Sequence, residues 1–260
     1  MLELYHWEPN TFSLKPLIAL HEKGLEFRSR YVDFLNFEQV DLPFAAINIE
    51  VKHNPEGEGP ILVHNGAVMT ESFFINLYLD EAFPERPLRA EDAASRWRVL
   101  MWGRFANEVL APAIGTLGCH KYLAPLLAKH DRRAAEQAIA RMATIEQREA
   151  WTAALNDAYT AELLEDSRRK IGVAVQKIEG ALADADWLVG ASYSLADIDV
   201  FALLHTVSNL VPGALDTAPR TAAWLVRIRG RSAVKAAFGA SKTGKPEQSF
   251  TPGAEHSRWG

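Results

Sequence analysis

The sequence holds a single cysteine, Cys119, among 260 residues. One thiol excludes an intramolecular disulfide and a cysteine-based zinc site, and an isolated cysteine is more often a small buried hydrophobe than a nucleophile. No long apolar run is present; the apolar stretches are short and broken by charges, so none reads as a membrane-spanning helix. The opening Met1–Asn10 has neither a basic nor an apolar leader region, so export is not indicated. No basic stripe stands out either. The 28 basic and 33 acidic side chains, net −5, are spread along the chain, which makes nucleic acid an unexpected partner. Internal repeats and low-complexity blocks are also missing. The expectation is a cytoplasmic protein without metal or membrane among its partners. What remains is ordinary globular composition, 48% hydrophobic and 23% charged, in a chain long enough for two cores.

Two halves read differently. Over residues 1–84 the hydrophobic period switches between two and 3.6, the mark of mixed strands and helices. Leu2–His6 alternates as a strand. Ser13–Lys23 carries Leu14, Leu17, Ile18 and His21 at helical spacing and stops at Gly24. Glu26–Phe34 reads as a second strand, followed by a poorly periodic connection over 36–59. Residues 61–64 and 67–70 flank Asn65-Gly66, the preferred pair for a two-residue hairpin turn. Glu71–Phe83 is then an amphipathic helix. The order βαβ–ββα implies a mixed four-stranded sheet. Pro84–Pro87 reads as a linker. From residue 90 to 240 only helices are expected, at about 91–119, 121–130, 132–157, 159–184, 195–210, 219–229 and 231–240. The class is α+β, a mixed-sheet domain followed by an all-α bundle, with residues 241–260 a flexible tail.

Four local features carry chemistry. Ser13 is expected as the N-cap of the first helix, accepting the Lys15 amide, with Phe12 stapled against Leu17 and Pro16 harmless at N3. A capping hydroxyl still has its proton to donate. Beside a helix N-terminus that proton favours a bound thiolate. Thr11 is a second candidate. Gly59-Pro60 enters a strand and suits a cis bond that leaves backbone groups for an extended peptide, although spacing alone fits a trans turn equally well. Glu71-Ser72 opens the next helix, where free amides suit a carboxylate and Glu71 an ammonium; ordinary capping is the simpler reading. Trp97, Met101 and Phe105 share one helix face, either as core or as an apolar pocket for an aromatic substrate.

The order of these features resembles the glutathione S-transferase family. The helix-opening hydroxyl, the proline before the hairpin and the Glu-Ser after it carry the likeness, with Tyr193-Ser194-Leu195-Ala196-Asp197-Ile198, similar to that family's capping box, in the second half. Within the family the chain looks closest to bacterial lignin β-etherases, on Ser13–Leu17, Glu22–Phe27, Phe37–Gln39, Thr70–Ser72 and Gly172–Val175. The resemblance implies a thioredoxin-like domain at 1–84 and glutathione as co-substrate. It also implies thiolate attack on an aryl ether with Ser13 and Thr11 as catalytic hydroxyls. Glutathione would be bound by Gln39, His53, Gly59, Pro60, Glu71 and Ser72, and the partner is a like chain in a homodimer or heterodimer.

The match departs in places. Gly59 stands where relatives carry an apolar residue, and Glu56 and Glu58 where they carry basic or amide residues. Residues 49–53 look inserted, and Phe12 replaces an asparagine that would donate to sulfur. These departures leave a weakly active or non-catalytic subunit of a heterodimeric transferase as the alternative.

Overall fold

The protein is described here from a computed structural model, over residues 1–40, 59–89 and 92–253. Strand β1 (Leu2–His6) buries Leu2, Leu4 and His6 on alternate positions, as its sequence period requires. It runs parallel to β2 (Arg28–Tyr31) and antiparallel to β3 (Ile61–His64), which pairs antiparallel with β4 (Ala67–Met69). The sheet order is β2-β1-β3-β4, the mixed four-stranded sheet expected. Asn65 and Gly66 take φ of 51° and 85°, so the two-residue turn is of the left-handed kind that Asn-Gly favours. Strand β2 is shorter than the sequence suggested. Arg28, Ser29 and Arg30 are exposed while Tyr31 is half-buried, and Arg30 closes on Glu3 at 2.8 Å.

Helix α1 (Thr11–Lys23) crosses between β1 and β2 and is buried on nearly every side. It packs on the sheet, on α2 (Ser72–Ala82), and on two helices of the second half, α9 (Leu195–Leu204) and α12 (Ser232–Phe238). Leu14, Leu17, Ile18 and Leu20 have no exposed surface. Gly24, at φ 65° in the left-handed region, ends the helix and returns its amide to His21.

Helices are the regular elements of the second half among its described residues, beside one isolated bridge between Trp187 and Gly190. α3 (Ala93–Phe105), α4 (Ala111–Gly118) and α5 (Ala124–Leu127) form one continuous helical path interrupted by π-turns at Ala106–Leu110 and Cys119–Leu123. The expected 132–157 helix is two: α6 (Arg132–Ala140) and α7 (Ile145–Leu155). Thr144 restarts the chain by accepting the Gln147 amide at 3.2 Å, and Arg148 grips the Met142 carbonyl at 2.7 Å. α8 (Ala161–Ala181), α9, α10 (Val207–Leu210), α11 (Pro219–Arg229) and α12 complete the bundle. The capping box is formed as read: Asp197 accepts the Ser194 amide at 3.0 Å. Asp197 also takes the Leu188 amide at 3.1 Å and the Trp224 indole at 2.9 Å, which ties α9 to α11.

Residues 241–253 are not the loose tail that their composition suggested. They fold back over the domain junction, with Phe250 only 1% exposed. The composition is that of a solvated segment, but one aromatic side chain and a buried carboxylate, Glu8, suffice to hold it.

Candidate active site

The sheet register gathers the candidate residues. Continuing the β1–β3 pairing beyond Tyr5↔Ile61 sets His6 across from Pro60, and continuing β3–β4 beyond Leu62↔Met69 sets Pro60 across from Glu71. The loop into α1, the Gly59-Pro60 bond and the start of α2 therefore share one end of the sheet. Parallel β2 also ends there, leading toward Gln39. The Gly59-Pro60 bond is cis.

Both helix N-termini at this end lack a side-chain cap. The N-cap of α1 is Asn10, not Ser13, because the helix starts three residues earlier than its apolar period indicates. Asn10 is extended (φ −138°, ψ 155°), and its amide group is engaged elsewhere. It donates to the Ser249 carbonyl at 2.8 Å and accepts from His205 at 2.8 Å. Thr11 is the first helical residue and sits at φ 43°, a conformation that β-branched residues rarely adopt. Phe12 is consequently inside the helix rather than a staple before it, and Pro16 lies deeper than N3. Ser13 is 7% exposed, and its hydroxyl oxygen accepts the Trp7 amide at 3.2 Å. The hydroxyl proton is left to donate. At α2 the N-cap is Glu71, at φ 63°, with Ser72 buried behind it. Gln39 is 5% exposed, with neither end of its amide paired among the described residues. His53 lies outside the described residues, as do Glu56 and Glu58.

Below this surface Lys15 is completely buried. Its ammonium donates to Asn107 Oδ1 at 3.0 Å and lies 3.5 Å from the equally buried Asp199. It also sits over the Phe12 ring, 5.4 Å from the centroid. Burial pulls the Lys15 pKa down, against the opposing charges of Asp199 and Glu71, and pushes the Asp199 pKa up, against Lys15. The Asn107 amide donates in turn to the Gly103 carbonyl at 2.7 Å. Asn107 occupies the first π-turn, a local widening of the helix common where side chains are re-aimed at a site.

A cavity of about 300 Å³ opens beside α1. It is lined by Thr11 and Phe12 at the start of α1, by Asn107, Pro112 and Cys119, by Tyr159 and Leu163, and by Phe250–Gly253. Glu146 and Glu149 stand exposed at its rim, and no basic side chain lines it among the described residues.

Trp97, Met101 and Phe105 do not line this cavity. They share a face, as their spacing requires, but it is the outer one: Trp97 is 61% and Met101 39% exposed. With Lys177 5.0 Å over Trp102 they border an open groove on α3. The period identifies the common face and is silent on which side it turns. Val99, Trp102 and Gly103 face inward instead. Of the residues that form the cavity, Thr11 is legible in the sequence as a site candidate; most others are not, because a π-turn shifts the register of α3 and α4 and Phe250 lies in a segment with no period. The isolated aromatic before Thr-Pro-Gly was the one available signal.

Sequence comparison agrees with this geometry. The profile of the glutathione S-transferase N-terminal domain matches residues 1–81, and that of the C-terminal domain residues 142–232. The chain is 36% identical to Protein LigF of Sphingobium sp. (strain NBRC 103272 / SYK-6) over 251 residues, 93% of this chain and 94% of that one. It is 37% identical to glutathione S-transferase 1 of Dianthus caryophyllus over 95 residues, 40% of that protein. The crystal structure of β-etherase LigF from Sphingobium sp. strain SYK-6 superposes with a TM-score of 0.83 at 35% identity, covering 92% of this chain and 99% of that one. Glutathione transferase F7 of Populus trichocarpa, 23% identical with a TM-score of 0.71, shares the fold across 96% of this chain and 100% of its own. Glutathione is the co-substrate of the glutathione S-transferase family. With a thioredoxin-like first domain and a helical second, this chain belongs to the glutathione S-transferase family.

Proposed function

We propose that the protein is a transferase of the β-etherase type, cleaving an aryl ether of lignin-like structure by attack of glutathione thiolate. The observation that carries this reading is the convergence of two uncapped helix N-termini at one sheet end, against a cavity walled by Thr11 and Phe12. The resemblance to a β-etherase over 93% of the chain supports the substrate class. Gly59, Pro60, Gln39, Glu71 and Ser72 bind the glutathione backbone and its α-amino-acid end. The amides of the first α1 turn, with Ser13 and Thr11, face the sulfur. A free thiol has a pKa of about 8.5, and dipole and hydroxyl together lower it toward neutrality. Sulfur forms a bond to the ether carbon, the carbon–oxygen bond breaks, and the electron pair leaves on the phenolate oxygen, which takes up a proton. Holding both reactants in one cavity supplies much of the acceleration.

The same reading expects a cytoplasmic dimer of like chains. Phe74, Trp97, Leu100 and Met101 are exposed apolar side chains that such pairing would cover. No helix among the described residues is long and apolar enough to cross a membrane. The comparisons lend no support to the alternative of a non-catalytic subunit. The test is a glutathione-dependent release of phenol from a fluorogenic aryl ether by the purified chain. Failure to bind glutathione at millimolar concentration, measured by calorimetry, would overturn the reading.

A further inference from the structure

The geometry points to the C-terminal strap, residues 241–253, as a specificity-determining wall of the electrophile cavity, with Phe250 as its buried anchor, Thr251–Gly253 as its lining and Glu8 as the positioning residue that pins it. This rests on the reading of the cavity as the aromatic-substrate site.

Glu8 lies in the loop between β1 and α1 and is 1% exposed. Its carboxylate accepts five hydrogen bonds, three at Oε1 and two at Oε2, one more than its four lone-pair sites. One comes from the Tyr31 hydroxyl at 2.8 Å. The other four come from the strap: the Ser241 hydroxyl at 2.5 Å, the Lys242 amide at 2.8 Å, and the Thr243 amide and hydroxyl at 3.1 and 3.0 Å. These bonds hold the Glu8 carboxyl below the usual carboxylate range against the opposing effect of its burial. Further along, Ser249 is tied by its carbonyl to Asn10, the residue immediately before Thr11. The strap is thus fastened on both sides of the turn that enters α1.

Beyond Ser249 the strap becomes the cavity wall. Phe250 stacks on Tyr122, with centroids 5.8 Å apart and planes within 7°. It lies against Gly118, where an added Cβ would fall 2.1 Å from the ring. Only glycine leaves that space. Phe250, Thr251, Pro252 and Gly253 then line the cavity beside Thr11 and Phe12, with Gly253 placed so that an added Cβ would lie 3.7 Å from the Phe12 ring. The catalytic turn and the strap wall therefore face the same substrate, and the strap is registered to the turn through Glu8 and Asn10.

The test uses equilibrium binding as well as turnover. Wild-type protein, Glu8→Gln, Gly118→Ala and a chain ended after Ala240 are compared. Calorimetry measures affinity for glutathione, for phenacyl phenyl ether and for a bulkier naphthyl analogue; limited proteolysis reports whether the strap is released. Strap release is expected in Glu8→Gln and Gly118→Ala, with glutathione affinity within about twofold of wild type in all three variants. Affinity for the phenyl ether is expected to fall about tenfold, the low end of what one apolar contact in a pocket decides. The preference for phenyl over naphthyl should flatten. Unchanged ether affinity and size preference with a released strap would overturn the wall, and a strap still protected in Glu8→Gln would overturn the pin. Absence of turnover in every protein, with ether binding still strap-dependent, would count against the proposed reaction and leave the wall supported.

Discussion

Removing the Ser13 hydroxyl separates the role that the structure shows for it from the one proposed. The oxygen accepts the Trp7 amide at 3.2 Å, and the proton remains to meet sulfur. A hydrogen bond to a charged group contributes about 1.5–3 kcal/mol. At about 1.4 kcal/mol per pH unit, its loss raises the pKa of bound glutathione by about one to two units. Below that pKa the rate falls about tenfold for each unit. Ser13→Ala also leaves the Trp7 amide, on a residue 6% exposed, without its acceptor, which costs about 1–3 kcal/mol of stability. Thr11→Val removes the second hydroxyl proposed to face the sulfur from a residue that lines the cavity, so a rise is expected both in the bound-thiol pKa and in KM for the aromatic substrate. Ultraviolet thiolate absorbance of the glutathione complex against pH, paired with urea unfolding, reads both effects. A Ser13→Ala protein that is less stable but keeps the bound-thiol pKa would refute the donor role and leave the helix amides alone to hold the sulfur.

Three further outcomes follow from buried groups. Lys15→Met leaves Asp199 as an unpaired charge in a fully buried site and is expected to cost about 3–5 kcal/mol, with Lys15→Met/Asp199→Leu recovering most of it in a double-mutant cycle; a neutral single variant would contradict this. His205 is held neutral, its pKa lowered to about 3 by burial and by Arg229, while it donates through Nε2 to Asn10 and accepts Arg229 at Nδ1. Its folded pKa lies below the unfolded value, so stability is full above about pH 6.5 and falls by up to about 1.4 kcal/mol per unit as pH drops toward 3. His205→Gln should flatten that part of the unfolding-midpoint profile, and an unchanged acid slope would assign it elsewhere. Gly103→Ala places a Cβ 2.1 Å from the Phe73 ring, where α2 meets α3, and is expected to destabilise by about 1–3 kcal/mol of overpacking; Gly103→Ala with Phe73→Leu should relieve it in thermal unfolding.

The sequence by itself determined the local structure. Asn65-Gly66 dictated the hairpin because few other pairs accept two left-handed residues. Gly24 ended α1, and Ser194 with Asp197 capped α9, because those signals act within one turn of chain. The same local chemistry put hydroxyls near the start of α1 and Glu-Ser at the start of α2. Only tertiary structure decided what the features face. Asn10 took the N-cap position while its amide bound residues 195 and 239 positions away, contacts that no local pattern encodes. The Trp97–Met101–Phe105 stripe was read correctly as one face and turned outward, since period gives a face and packing gives its direction. Phe250 and Glu8 acquired their roles only when the chain's two ends met, because long-range hydrogen bonding and the space over Gly118 exist only in the folded protein.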